Sequence, residues 1–330
     1  MTSSVTSREL LAEVKKLIPP LLEKFHKGQA GRVAVLGGCE DYTGAPFFSA
    51  QAATLLGADM SHVICDQAAA TVIKSYSPDL MVHPYMKSSP ASPDMVLPRI
   101  YDFLPRLHVL VVGPGLGRDS SLQETALAVI KRARQQGLHL VIDADGLQLV
   151  QTHPELIHGY SRTILTPNII EFSRLCKAFE IVSADSTPIS PSSNPEVLKA
   201  ACHALAIKLD GPTVIAKGAV DYIANKFHTL ICDMPGGLKR VGGQGDTLSG
   251  TAATFLAWKY AYESDVWEHP SDLDDGRAMV LAAYGATSVT RYCSRAAYSK
   301  YGRAMLASNL AEMIGQAYTV LFDDDVVVSI

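Results

Sequence analysis

The sequence predicts an α/β fold with a central, mostly parallel sheet covered by helices on both faces. Three observations predict it. Short apolar runs recur along the chain: Arg32–Leu36, His62–Cys65, His108–Val112, His139–Ile142, Thr163–Leu165 and Thr213–Lys217. Between them lie stretches with helical spacing of apolar residues, the alternation of βαβ units. The chain has 330 residues, 48% of them hydrophobic, enough for a large buried core.

In order, Thr6-Ser7-Arg8-Glu9 is a capping box, and Leu10, Leu11, Val14, Leu17 and Ile18 mark one face of a helix over about 6–18. Pro19-Pro20 ends it. The strand Arg32–Leu36 runs into Gly37-Gly38, and a helix spans Gly44–Leu56. After the strand His62–Cys65, Ala68–Ser75 reads as helix, Leu80–Pro84 as strand and Lys87–Pro98 as a proline-rich surface loop. His108–Val112 leads to Gly113-Pro114-Gly115-Leu116-Gly117, whose spacing is not that of a dinucleotide fingerprint. Leu122–Gln136 is helical. His139–Ile142 ends on Asp143-Ala144-Asp145-Gly146, which reads as a turn with a helix cap or as acidic groups placed to hold a metal or its waters.

Thr163–Leu165 is followed by Thr166-Pro167-Asn168 and an amphipathic helix, Ile169–Phe179. Asn168 and Glu171, three apart, fit a capping box; a substrate-facing role is the alternative. Ser183–Asn194 is a Ser/Pro-rich insert. A helix over Pro195–Leu209, the strand Thr213–Lys217 and a hairpin of Asp221–Ala224 with Phe227–Cys232 come next. Three helices, Thr247–Ala261, about Gly276–Ser294 and Ser308–Leu321, precede an acidic tail with a short strand. No repeat or linker is visible, so the chain reads as one domain over 1–330. The candidate loops all follow strands, and such loops gather at one edge of a parallel sheet.

Net charge is −4, which excludes a general nucleic-acid footprint. No apolar run is long enough to span a membrane. The first 20 residues lack a secretory core and carry Glu9 and Glu13, so the cytoplasm is expected. The six cysteines form no C-x-x-C, and the ten histidines show no ligand spacing. P-loop, H-E-x-x-H, G-x-S-x-G and protein-kinase signatures are absent.

The most telling stretch is Gly236-Gly237-Leu238-Lys239-Arg240-Val241-Gly242-Gly243-Gln244-Gly245, followed by Asp246 and a helix. Five glycines let backbone N–H groups converge on an anion at a helix N-terminus. Lys239 and Arg240 add full charges. Asp246 is then either an N-cap or the base that deprotonates a hydroxyl as a phosphoryl group arrives. Its place at a helix N-terminus predicts a lowered pKa, hence a weak base whose value lies in position.

Seven motifs in order, GRVAVLGG with YTGAP, SPDLMVHP, VVGPGLGR, IDADGL, LTPNIIEFSRL, AKGAVD and KRVGGQGDTLSG, resemble those of the ATP-dependent NAD(P)H-hydrate dehydratases, a ribokinase-like family. The resemblance runs from Gly31 to about Leu321. It implies a three-layer α/β/α ribokinase-like fold and repair of NADHX or NADPHX to NAD(P)H. ATP would be the phosphoryl donor, with Mg2+ on its phosphates; Gln244 after Lys239-Arg240 matches the ATP-using, eukaryotic type. It implies Asp246 as catalytic base and substrate contact. Further substrate contacts would come from Gly117 and from Asn168, Ile169, Ile170, Glu171, Phe172, Ser173 and Arg174, with Ile169 and Ile170 side chains turned to the core. Lys217, Gly218, Ala219, Val220, Asp221 and Gly236–Gly245 would hold ATP. No metal ligand is assigned; Glu171, through water, is best placed. An NAD(P)HX epimerase is an implied companion, and a homo-oligomer is compatible. The rivals are a kinase of a thiazole-, pyrimidine- or pyridoxal-like alcohol, which stops at the phosphorylated product, and a noncatalytic nucleotide-binding regulator.

Overall fold

The computed structural model describes residues 6–181 and 188–323. The expected tail strand and part of the Ser/Pro-rich insert lie outside them.

The first helix, α1 (Ser7–Lys15), has the expected capping box: Glu9 N–H donates to Thr6 Oγ1 at 3.3 Å, and Thr6 N–H to Glu9 Oε2 at 2.7 Å. The chain continues through β1 (Arg32–Leu36), α2 (Gly44–Leu56), β2 (Met60–Asp66), α3 (Gln67–Tyr76), β3 (Met81–Met86), α4 (Leu97–Tyr101), β4 (Val109–Val112), α5 (Ser120–Gln135), β5 (His139–Ile142) and α6 (Asp145–Thr152). Then come β6 (Thr163–Leu165), α7 (Ile169–Ala178), α8 (Pro195–Leu209), β7 (Thr213–Ala216), β8 (Asp221–Ala224) and β9 (Thr229–Cys232). The last helices are α9 (Gln244–Glu263), α10 (Asp275–Tyr301), α11 (Ala307–Glu312) and α12 (Ile314–Phe322). Sequence reading missed α4 and α6, and it joined α11 to α12, which break at Met313.

The nine strands form one sheet in the order β3-β2-β1-β4-β5-β6-β7-β8-β9. The first seven in that order are parallel. β1 registers Leu36 with Ile64 on one side and with Val112 on the other, so these strands end level. Because side chains alternate along a strand, each strand feeds two cores. Val33, Val35, Val109 and Val111 pack with α1, α2, α9 and α10; Ala34, Leu36, Leu110 and Val112 pack with α5, α6, α7 and α8. That is the three-layer arrangement.

β8 and β9 are antiparallel to their neighbours. Two reversals bring β9 back into the direction of β7, and Asp221 at the start of β8 pairs with Cys232 at the end of β9. The glycine stretch that follows β9 therefore opens at the same edge as the loops after β1, β4, β5, β6 and β7. On the inner face, α2 and α9 lie close enough for Ser49 Oγ and Ser249 Oγ to stand 3.0 Å apart and for Thr254 to donate to Ala53 O at 3.1 Å. α1 is fixed to α10 by Arg277, which grips both oxygens of Glu13 at 2.7 and 2.9 Å.

Candidate active site

At the carboxyl edge, the loops after β1, β4 and β5 are locked together. Gly38 N–H donates to Gly115 O at 3.0 Å, and Gly117 N–H to Asp145 Oδ2 at 3.0 Å. Gly113 has φ +121°, and a Cβ there would overlap the Asp143 carbonyl, so this turn admits glycine alone. This is the point between β1 and β4 where strand order reverses, the expected crevice in an open parallel sheet.

Asp143 and Asp145 part company at Ala144, which is held at φ 48°, a strained conformation for a residue with a Cβ. The Asp143 carboxylate meets Lys217 Nζ at 3.2 Å, with side-chain exposures of 3% and 21%. Burial acts against the Lys217 charge, but Asp143, Glu171 and Asp246 outweigh it and hold its pKa above the ordinary lysine range. Glu171 closes a capping box with Asn168: its Oε2 accepts from Asn168 N–H at 2.7 Å, while Asn168 Oδ1 accepts from Ile170 and Glu171 N–H, each at 3.0 Å. Burial raises the Glu171 pKa against the pull of Lys217. Among the described residues, no group of three His, Cys, Asp or Glu is arranged to hold a metal ion.

Asp246 lies on the first turn of α9, which starts at Gln244. The helix cap is Gly243, at φ +97°, and no side chain caps this end. The N-cap alternative for Asp246 is thereby removed. Its pKa is also not lowered as the sequence implied. Burial first, and the neighbouring Asp143 second, raise it to about 7, with Lys217 opposing. Desolvation outweighs the helix terminus, and the carboxylate becomes a base matched to neutral pH. Gln244 N–H turns back to Val241 O at 3.4 Å, while the next N–H groups, of Gly245 and Asp246, precede the first helical acceptor and are free to meet an anion.

The chain matches the NAD(P)H-hydrate dehydratase family over residues 33–316. It is 50% identical to the ATP-dependent (S)-NAD(P)H-hydrate dehydratase of Phaeosphaeria nodorum, covering 96% of each chain. It is 48% identical to the enzyme of the same name from Neurospora crassa, covering 97% of this chain and 96% of that one. The chain belongs to the ATP-dependent (S)-NAD(P)H-hydrate dehydratases. It removes water from (S)-NAD(P)H-hydrate in an ATP-dependent reaction. The fold agrees: a ribokinase-like superfamily protein from Enterococcus faecalis superposes with a TM-score of 0.70 at 20% identity, covering 96% of this chain and 95% of that one. An ADP/ATP-dependent NAD(P)H-hydrate dehydratase from Bacillus subtilis, co-crystallised with ATP/Mg2+, superposes with a TM-score of 0.64 at 18% identity, covering 94% and 97%.

In this dehydratase, Asp143, Lys217, Glu171 and Asp246 come together at one edge, as the strand-end loops predicted. The other expected residues fall in varied settings. The Phe172 side chain is 0% exposed and part of the core beneath α7, which leaves only its main chain for a ligand. Ile169 packs toward that core as expected, but Ile170 is 62% exposed. Gly117 is buried with its N–H on Asp145. Gly237 is buried with its N–H on Ser294 Oγ at 3.2 Å. Asp221 is paired with Arg291: Arg291 Nη1 meets Asp221 Oδ2 at 2.9 Å, Nε donates to Met234 O at 2.6 Å and Nη2 to Ala219 O. Gly218 N–H also caps Asp221 Oδ1 at 2.9 Å. Arg291, deep in α10, thus clamps the loop after β7 to the strand leading into the glycine stretch, and no sequence signal marked it.

The two cations of the glycine stretch are likewise held by main chain. Lys239 Nζ donates to Arg303 O and Met305 O, each at 2.7 Å, and Arg240 to Gly237 O at 2.6 Å. Gln244 Nε2 donates to Lys239 O at 3.0 Å. Lys239 therefore braces the loop against the segment between α10 and α11. Lys239→Met is expected to lower stability by about 2 kcal/mol, the scale of charged hydrogen bonds, and to raise the KM for ATP no more than about threefold. Thermal melts and initial-rate kinetics check both.

Proposed function

We propose that the dehydration runs through phosphoryl transfer. ATP phosphorylates the hydroxyl on ring carbon six of the hydrate, Asp246 takes the hydroxyl proton, and ADP leaves. The ring-nitrogen lone pair then expels phosphate as the C6–O bond breaks, and loss of the C5 proton restores the double bond. Hydroxide is a poor leaving group and phosphate a good one, which is why a kinase-like site suits a dehydration. One observation carries this reading: an unclaimed carboxylate with a pKa of about 7 stands on the first turn of a helix whose open N–H groups suit an anion.

Magnesium would polarise the transferring phosphates. With no three-ligand cluster among the described residues, the site does not suit a resident ion, and the metal is best supplied on the nucleotide, keeping its waters. Exposed Gly242 and the Gly245 and Asp246 N–H groups at the start of α9 are open to ATP, with the exposed turn at Gly218 and Ala219, held by Asp221 and Arg291, as a wall beside them. We read the chain as a single catalytic domain with α1 as a packing element. Its six free, buried thiols favour the cytoplasm. Because the family acts on the S form, an activity that interconverts the two C6 epimers would supply it.

The test uses hydrate prepared in 18O-water, with ATP and magnesium, following absorbance at 340 nm. The label is expected in inorganic phosphate, with one ADP formed per NADH recovered. Label released as water overturns the phosphorylation step.

The pH dependence follows from Asp246. Its carboxyl must be ionised to accept a proton, so the rate is expected to rise with pH, about tenfold per unit below pH 7, and to level above. A profile flat from pH 5.5 to 8 would assign the proton elsewhere.

A further inference from the structure

Among the described cations at the glycine stretch, Lys239 and Arg240 are held by carbonyls, and Arg291 by carbonyls and Asp221. Lys217 differs. Its Nζ lies 3.2 Å from Asp143 Oδ1 and 3.2 Å from where a Cβ on Gly245 would stand; Asp143 Oδ2 lies 3.9 Å from that same point. The pair thus sits against the residue immediately before Asp246. Three carboxylates, Asp143, Glu171 and Asp246, share this one ammonium. A carboxylate that captured it would be a poor base.

We propose that Asp143 is a positioning residue of the reaction: by holding Lys217 on its Oδ1, it keeps the ammonium beside Gly245, where the charge of the transferred phosphoryl collects, and off the Asp246 carboxylate. The inference rests on the phosphoryl-transfer reading. The groups facing Asp246 are Asp143, after β5, and Lys217, after β7; Lys217 also faces Glu171 on α7, which in turn faces Arg174. The strained turn at Ala144 serves the same arrangement, sending Asp143 to Lys217 while Asp145 secures Gly117.

The experiment compares kcat–pH profiles and the KM for ATP in the full-length wild type, Asp143→Asn and Lys217→Gln, with hydrated NADH as substrate. In Asp143→Asn the ammonium is released toward Asp246. Its acidic limb is expected to move down by about one pH unit, kcat on the plateau to fall about 30-fold or more, and the KM for ATP to stay within about threefold. In Lys217→Gln the cation is gone, and the limb is expected to move up. Opposite displacements are required by the two charges themselves; the signature of positioning is that Asp143→Asn costs no further plateau kcat once Lys217→Gln is in place, and a full additive loss in the double variant overturns it. Limbs that stay in place, or that move the same way, overturn the proposal. If Asp143→Asn does not fold, as melting would reveal, Asp143→Ser replaces it in the same comparison, non-additive plateau loss supporting the proposal and additive loss overturning it. A wild type that places 18O in water would sink the phosphorylation reading instead, leaving the limb shifts separately readable.

Discussion

Asp246→Asn is expected to bind ATP with nearly unchanged affinity and to turn over about 10³-fold more slowly, the scale of a lost general base. Asparagine keeps the shape and removes only the acceptor of the hydroxyl proton. Stability should move the other way. The folded pKa of about 7 lies above the ordinary value of 3.8, so ionising Asp246 disfavours the folded state. That penalty grows as pH rises from about 4 to 7 and is constant above. The variant is therefore expected to melt higher than the wild type at pH 8, by about 1–3 kcal/mol, with a smaller gain at pH 5. Equilibrium binding of ATP, single-turnover kinetics and melts at the two pH values test this together. Near-normal turnover would remove Asp246 from the chemistry.

Arg291→Ala is expected to have the largest structural effect. Among the described residues it leaves buried Asp221 with the Gly218 N–H as its hydrogen-bond donor and the more distant Lys217 charge, and it frees the carbonyls of Met234 and Ala219. Breaking a buried ion pair from one side costs about 3–5 kcal/mol. The loop after β7 and the approach to the glycine stretch lose their common anchor, so the KM for ATP is expected to rise about tenfold or more, with kcat much less affected. Arg291→Lys should recover little, since one ammonium cannot span the fork. Urea unfolding and ATP titrations check both. A kcat loss larger than the KM rise would place Arg291 in the transfer step.

The elements that position this site were legible where the signal was local. Apolar runs ending in Gly37, Gly113, Asp143, Asn168 and Lys217 marked strand ends, and a parallel sheet gathers such ends at one edge. Strand order was not legible, because it depends on crossovers that leave no mark in a short window. The turn expected at Asp143-Ala144-Asp145-Gly146 is present, its Gly146 N–H closing on Asp143 O at 2.9 Å, but the helix α6 that it opens was given no range because its apolar positions are few. Asp246 was found from the glycines around it, yet its acidity was misjudged. The helix terminus is a neighbour in sequence, whereas Asp143 and the burial that outweigh it come from the fold. Lys239 and Arg240 looked like phosphate ligands because charge among glycines suggests them. The carbonyls that claim Lys239 lie 64 and 66 residues away. Arg291 meets Asp221 across 70 residues and sits within a 27-residue helix. A long amphipathic segment hides a single functional guanidinium well.

The anion loop turns on Gly243, and a Cβ there would collide with that of Ala307 on α11. In evolutionary terms this contact is a ratchet. Position 243 already carries the smallest residue, so no change there can make room for a larger one at 307. Any gain in bulk on α11 must be absorbed by moving the nucleotide loop itself. The packing of α11 thus bears directly on the shape of the glycine stretch, although α11 carries none of the groups gathered around Asp246.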